Sequence, residues 1–479
     1  MKEIKTYVVD LFCGAGGTST AISESGTNIE VIACVNHDKN AIMSHAENHP
    51  HCDHYIEDIR TIDISPITEK IEHLRASDPT CKIALWASLE CTNFSRAKCG
   101  PKEADSRSLA EDMFRYLEAL RPDFFWVENV EEFRTWGPLD EDNNPDKGKL
   151  GESYREWVYR LTTEYFSIKF FEEVLTSSDY GGRTIRKRLF LQFAKDPNNI
   201  GIPVQTHSKD ESVGEKWLSV RGILDLSNHG GSIFTRTKRY VERTHENIYK
   251  GLMKYTPKEG TEFGYSYYGN AGLIGPEDEF PSLDDDKVAL VNVSPICINQ
   301  QFGNAVLKDL DAPFGTLTTV PKGDVIAVKS VSFITNTQYG GSTRSVDEPA
   351  CTVIARQDKS PLGIATAPKH EFDSVLRRVP GAGNDHIKFE DGVLVYTIYE
   401  DDDRWFGLIK EYMHENNLLD VSTRPLTITE LLQIQGFPKD YVLKGTQTEA
   451  KKYIGNSVEV NVGIALFKAI DIAIQKNNF

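Results

Sequence analysis

Three short clusters carry side chains that could do chemistry, and each flanks an apolar run. Cys91-Thr-Asn-Phe-Ser follows residues 83–87, and Glu128-Asn-Val follows residues 123–127. Arg183, Arg186, Lys187 and Arg188 lead into the apolar residues 189–193. An ionised thiol is a nucleophile, a carboxyl group can give or take a proton, and a guanidinium can hold an anion or a polar edge. A loop cysteine also packs as a small hydrophobe, so Cys91 alone decides nothing. Alternation along an extended chain sends Arg186 and Arg188 to the same face.

The elements that must position these groups can be read from the apolar pattern. Residues 6–12 form a strand, and Cys13-Gly-Ala-Gly-Gly-Thr-Ser turns into a helix from Ser19. Strand, glycine turn and helix open a nucleotide-binding unit, although Ser19 stands where a full G-x-G-x-x-G would have its third glycine. A second strand, residues 30–35, ends in Asn36-His37-Asp38. Asp38, or Asn36 as a neutral alternative, could take ribose hydroxyls. Asp58 could hydrogen-bond an adenine amino group, with Ile59 packing on the ring. Strands at 83–87 and 123–127, with a helix over 105–120 between them, bring Cys91 and Glu128 to C-terminal strand ends. Chemistry collects there in open α/β sheets. Further strands are expected at 170–174 and 189–193.

Composition sets outer bounds. The chain has 479 residues, 39% hydrophobic and 26% charged, enough for two or three domains. Net charge is −17, which excludes an all-over polyanion binder but leaves room for a local basic cleft. Acidic residues bunch in loop-like stretches at 139–146, 276–286 and 400–403. No signal-peptide pattern opens the chain and no apolar run approaches membrane-spanning length, so a cytoplasmic location is expected. The eight cysteines are scattered with no Cys-x-x-Cys pair, which suggests a reduced compartment and no disulfide framework. His45, His49, His51, Cys52 and His54 are metal-ligand types, but their spacing fits no standard finger. They read as surface histidines, and no metal site is expected.

Taken together, these stretches resemble the DNA cytosine-5 methyltransferase family of the restriction-modification type. The resemblance covers about residues 5–195 and 423–475 in family order. Asp10-Leu-Phe-Cys-Gly-Ala-Gly-Gly resembles its first motif, which holds S-adenosylmethionine. Cys91-Thr-Asn-Phe-Ser is similar to its nucleophile motif, with Glu90 where the family usually has Pro. Glu128-Asn-Val matches its Glu-Asn-Val motif. Asp179-Tyr-Gly-Gly-Arg-Thr-Ile-Arg-Lys-Arg resembles its Arg-x-Arg motif, with Arg183-Thr184 in place of the usual Pro-Gln. Arg424-Pro-Leu-Thr-Ile-Thr-Glu with Gln435-Gly-Phe-Pro, then Ile454-Gly-Asn-Ser-Val, resemble its last two motifs. Asn36 stands where the family usually has a ribose-binding Glu.

The resemblance implies a class I methyltransferase Rossmann-like α/β domain, mostly parallel with helices on both faces, carrying an inserted, largely β or irregular target-recognition domain. The catalytic domain would be discontinuous, 1–195 and 423–479, with recognition at 196–422. The expected cofactor is S-adenosylmethionine, held by Asp10, Phe12, Gly14, Gly16, Gly17, Asn36, His37, Asp38, Asp58, Ile59, Asn456, Ser457 and Val458. Cys91 would add to carbon 6 of a flipped-out cytosine, Glu128 would protonate N3, and Arg186 and Arg188 would hold the base or a phosphate. Expected partners are duplex DNA and a cognate restriction endonuclease for the same site; a monomer in a prokaryotic cell, or a phage-encoded one, is the expected setting. An RNA cytosine methyltransferase and a non-catalytic DNA-binding relative are the rival readings.

The remainder is less informative. Ser95, Arg96 and Lys98 suit a lid over DNA, or a solvated basic loop. Residues 234–255 read as a helix carrying Arg236, Lys238 and Arg239, which could grip phosphates or merely face solvent. A near-repeat pairs Asn299-Gln-Gln-Phe-Gly…Asp311-Ala-Pro with Asn336-Thr-Gln-Tyr-Gly…Asp347-Glu-Pro. Each copy reads as strand, loop, turn and strand. Gln301, Gln338, Arg344 and Arg356 are base-edge candidates because Gln and Arg can pair in bidentate fashion.

Overall fold

The computed structural model describes residues 3–89, 109–140, 144–256, 343–353, 355, 362–370, 372–383 and 385–477, and the strands at 296–299, 307–308, 325–328 and 330–336. The chain divides into two compact units. The first is Met1–Ile223, Asp347–Lys359 and Thr427–Phe479; the second is Leu224–Val346 and Ser360–Leu426. The first boundary thus falls at 223/224, where the sequence placed it at 195/196. The short segment Asp347–Lys359 belongs to the first unit.

The first unit begins β1 (Thr6–Leu11), α1 (Gly17–Ser25), β2 (Ile29–Asn36), α2 (Lys39–Asn48), β3 (Asp53–Ile56) and α3 (Ser65–Ser77). It continues with β4 (Lys82–Ser88), α4 (Met113–Leu120), β5 (Phe124–Asn129), α5 (Glu152–Arg160), β6 (Phe171–Thr176) and β7 (Lys187–Ala194). The seven strands lie in the order β3-β2-β1-β4-β5-β7-β6. All neighbours are parallel except those of β7, which runs antiparallel to β5 and β6. The order reverses at β1/β4, and the crevice beyond the strand ends at such a switch point is where ligands settle.

Helices cover both faces, because the central strands are apolar on both sides. Val9, Leu85 and Phe125 stand side by side in register and pack with Ile67, Tyr116 and Trp157 of α3, α4 and α5. Trp86 and Trp126 face the other way, and the Phe467 ring lies 5.2 and 5.9 Å from theirs. Phe467 belongs to the C-terminal helix Val460–Lys476, which lies close on α1: a Cβ at Gly463 would fall 2.6 Å from that of Ala21. Two capping boxes, Thr427/Glu430 and Thr446/Glu449, start the helices Ile428–Ile434 and Gln447–Asn456. Among the described residues, no helix is long and apolar enough to cross a membrane.

The second unit holds an antiparallel five-stranded sheet, two three-stranded sheets and the helices Glu242–Tyr255 and Arg404–Glu415. Ile248, Leu252, Phe333, Tyr396, Phe406 and Met413 are among its core residues. The helix expected over 234–255 starts only at Glu242. Residues 231–232 pair with strand Ser422–Pro425 and Phe234 is buried against the Phe406 ring, so tertiary pairing overrides the local helical pattern. The near-repeat is also less regular than its sequence. Strands Ile296–Asn299 and Ser330–Asn336 start the two copies. After Asp347-Glu-Pro, however, residues 351–353 form no strand. Ala350 instead pairs within the first unit, donating to the Arg183 carbonyl at 2.8 Å and accepting from the Ile185 amide at 3.1 Å.

Candidate active site

The loop after β1 is built for close backbone approach. Phe12, Gly14 and Gly16 take positive φ angles of 59°, 54° and 106°, a region that favours glycine. Gly16 stands at the head of α1, and no side chain caps that helix among the described residues. Its first amides are therefore available to an anionic or carboxylate group. A Cβ on Gly17 would lie 2.9 Å from Ser457 Cβ and from the Val458 carbonyl oxygen, so the turn at 456–458 rests directly on the loop. The turn itself is held from below. Buried Gln435 donates to the Ile454 and Ser457 carbonyls at 3.3 and 3.4 Å, and Ser457 Oγ donates to the Ile454 carbonyl at 2.8 Å.

The end of β2 supplies the next wall. The Asn36 side chain accepts from the Asp38 amide at 2.9 Å. Asp38 caps α2 through the amides of Asn40 and Ala41, and the Tyr453 hydroxyl donates to it at 2.9 Å. Partial burial pushes the Asp38 carboxyl upward, but Tyr453, the Ala41 amide, Lys452 and the Asn40 amide outweigh it and hold the group below the usual carboxylate range. Asp38 stays ionised there. Phe12, Gly14, Gly17, Asn36, His37, Asp38, Asn456, Ser457 and Val458 all line one open cavity.

The acid end lies on the same cavity. In register, Ser88 at the end of β4 stands beside Glu128 at the end of β5. Both line the cavity, as do Leu89, Arg186 and Arg188. Glu128 is 5% exposed, and Arg188 Nε lies 3.1 Å from its Oε1. Burial raises the Glu128 carboxyl; Arg188 and Arg186 pull it back without cancelling the rise. Arg188 also donates to the Lys187 carbonyl at 2.7 Å. Arg186 is buried, and its Nη1 donates to the carbonyls of Gly455 at 3.0 Å and Val353 at 3.3 Å. Asn129 turns back on the strand end, accepting from the Val130 amide at 2.8 Å and donating to the Leu89 carbonyl at 3.5 Å. The Arg183-Thr184 pair has a local role: Thr184 donates to the Cys351 carbonyl at 3.2 Å, and Arg183 donates to that of Ser219.

A family model for C-5 cytosine-specific DNA methylases matches residues 6–288 and 364–471. The chain belongs to this family. Among curated relatives, the type II methyltransferase M.SacI of Streptomyces achromogenes is 27% identical over 218 residues, 42% of this chain and 51% of that protein. M.DdeI of Desulfomicrobium norvegicum is 24% identical over 251 residues, 51% of this chain and 55% of that protein. The chain thus spans about half the length of the curated relatives it matches. The crystal structure of a Spodoptera frugiperda DNMT2 mutant aligns at a TM-score of 0.46 and 13% identity, covering 97% of this chain and 99% of that one.

In the first unit, the other described residues singled out in the sequence do not line the cavity. Gly16 belongs to the glycine loop itself, and Asp10 lies in β1 just before it; Asp10 is fully buried and accepts from Ser19 Oγ at 3.5 Å. Asp58 pairs with Arg60 at 2.6 Å, and that pairing draws its carboxyl to about 2. Ile59 is a core residue, and its carbonyl accepts from the Tyr116 hydroxyl at 2.6 Å. The expectation of surface histidines needs correction: His45 and His49 are buried, and desolvation drives His45 well down and His49 to about 4. Cys91, Ser95, Arg96, Lys98, Gln301, Gln338 and Arg356 lie outside the described residues.

In the second unit, Arg236 and Lys238 are exposed, and Arg344 is half-buried on a short strand. Arg239 is an internal brace, 3.4 Å from Asp401, 3.3 Å from Asp402 and 5.4 Å above the Phe406 ring. Cavity residues that the sequence did not single out include Thr18, Lys452 and Tyr453. Lys452 and Tyr453 stand immediately before Ile454-Gly-Asn, so that motif already marked their neighbourhood.

Proposed function

We propose that this protein methylates carbon 5 of a flipped-out cytosine in a specific duplex DNA sequence, with S-adenosylmethionine as methyl donor. The observation that carries this reading is Glu128: a buried carboxyl, raised toward its neutral form, on the same cavity as the open N-terminus of α1. The cofactor fits the residues present. The uncapped α1 amides suit its carboxylate, ionised Asp38 suits a hydroxyl or ammonium donor, and Asn456–Val458 close the side of the pocket. When bound, S-adenosylmethionine supplies an electrophilic methyl group.

Carbon 5 of cytosine is a weak nucleophile until carbon 6 is attacked. Cys91 is the nucleophile of this proposal. In the sequence it stands two residues beyond Leu89, which lines the cavity. Its thiolate adds to carbon 6, and the carbon 5–carbon 6 electrons become available to take the methyl group. Glu128 gives a proton to N3 as this happens, and loss of the carbon 5 proton then expels the thiolate. Arg188 fixes Glu128 and faces the base or a flanking phosphate. Arg186 ties the Gly455 turn to the same rim. The second unit is read as the target-recognition domain, and a restriction endonuclease for the same site as the partner of the system.

Transfer of tritiated methyl groups to duplex DNA tests this. The wild type is expected to label duplex DNA and Cys91→Ser to leave it unlabelled. Label transfer surviving Cys91→Ser overturns the mechanism. Label on transfer RNA with none on duplex DNA favours an RNA methyltransferase, and DNA binding without transfer favours a non-catalytic relative.

A further inference from the structure

Beneath the glycine loop, four donors from three elements converge: Cys34 near the end of β2, His45 in α2, Cys52 just before β3, and His54 in β3. Their ligand atoms all lie within 4.8 Å of one another. His45 Nδ1 is 3.7 Å from Cys34 Sγ, 4.0 Å from Cys52 Sγ and 3.0 Å from His54 Nε2. Cys52 Sγ is 3.6 Å from His54 Nε2. A tetrahedral zinc site with Zn–S near 2.3 Å and Zn–N near 2.05 Å has donor–donor edges of roughly 3.4 to 3.8 Å. The cluster already approximates that tetrahedron.

We propose that Cys34, His45, Cys52 and His54 bind a structural zinc ion that fastens β2, α2 and β3 under the cofactor loop. Two thiolates, two neutral imidazoles and one Zn²⁺ sum to zero charge, which is what a buried site tolerates. The two thiol protons leave on binding. Four protein donors fill the coordination sphere, so the site is structural and closed to substrate. The outer shell is also in place. His45 turns Nδ1 to the cluster and its Nε2 to Ser19 Oγ at 2.9 Å, and Ser19 Oγ donates to buried Asp10 at 3.5 Å. With Nδ1 on the metal, Nε2 carries its hydrogen and donates to Ser19, the relay by which proteins orient ligating histidines. The cluster also supports the loop above it: a Cβ on Gly16 would fall 3.2 Å from His45 Cδ2 and 3.1 Å from His49 Cδ2.

The test is metal content of the full chain purified without chelator under reducing conditions, with Zn²⁺ and Co²⁺ as probes. The wild type is expected to carry about one zinc per chain, and Co²⁺ loaded in its place to show the visible bands of a tetrahedral thiolate–imidazole site. His54→Asn, at the half-exposed edge of the cluster, should drop bound zinc at least tenfold while the chain stays folded; Cys52→Ser should do the same. Cys81→Ser, whose thiol lies outside the cluster, should keep the metal. Cys52 should resist alkylation until a chelator is added. A metal-free wild type that takes up neither ion, or unchanged zinc in His54→Asn and Cys52→Ser, overturns the site; so does a Cys34–Cys52 disulfide in the purified protein. These readouts do not depend on methyl transfer.

Discussion

At the scale of single residues, the proposed chemistry turns on the protonation of Glu128. Burial raises its carboxyl, while Arg188 at 3.1 Å and Arg186 act in the opposite direction. As a proton donor, Glu128 works only below its own pKa, so the single-turnover rate should fall as pH rises through it. Glu128→Gln should slow transfer by roughly 10²- to 10⁴-fold and leave DNA affinity nearly unchanged. Arg188→Leu removes the nearer cation, so the carboxyl climbs further and the alkaline limb of the rate profile should move to higher pH. A limb that moved to lower pH would sink the acid role. The position of Glu128 could be read from sequence, because an apolar strand ends at it. Its raised pKa could not, because desolvation depends on everything packed around it.

At the scale of elements, the same division recurs. Ile454-Gly-Asn-Ser-Val stood out as a motif, yet nothing in the sequence marks the next residue, Glu459, as buried. It does cap the helix Val460–Lys476, accepting from the Val462 amide at 2.9 Å and from Asn461 Nδ2 at 2.8 Å. It is also buried, and desolvation lifts its pKa to about 7. The folded chain therefore holds this proton up to about pH 7, whereas the unfolded chain releases it near 4.5. Between those values the folded state binds more protons, so stability falls as pH rises and levels off above about 7. The loss is on the order of 3 kcal/mol. Glu459→Gln cannot ionise. Urea unfolding should show the variant gaining on the wild type as pH goes from 5 to 8; a gap independent of pH would refute the buried-proton account. The histidine cluster shows the reverse failure: its residue types were visible, but its irregular spacing concealed that β2, α2 and β3 bring the side chains together.

At the scale of the whole molecule, the alternation of apolar strands and glycine or charged turns was enough to read the α/β sheet. The division into units was harder. Asp347-Glu-Pro echoes Asp311-Ala-Pro and so read as another turn of the inserted domain, but Asp347–Lys359 belongs to the first unit. A local pattern carries no information about which unit a segment docks on. The same limit applies to the basic residues at 236–239. In sequence they form one patch on a chain of net charge −17. In the structure Arg236 and Lys238 are exposed, whereas Arg239 is committed to Asp401 and Asp402. If the patch meets DNA phosphates, each contacting cation contributes about 0.9 to the slope of log affinity against log salt. Replacing both Arg236 and Lys238 by alanine should shrink that slope by nearly two, with the unfolding midpoint unchanged. Arg239→Ala should do the opposite: it leaves the slope alone and destabilises the second unit, because the Asp402 side chain, 1% exposed, loses one of its compensating charges. Equilibrium titrations with duplex DNA across a salt series would separate the two roles, and an unchanged slope in the double variant would remove this patch from the DNA surface.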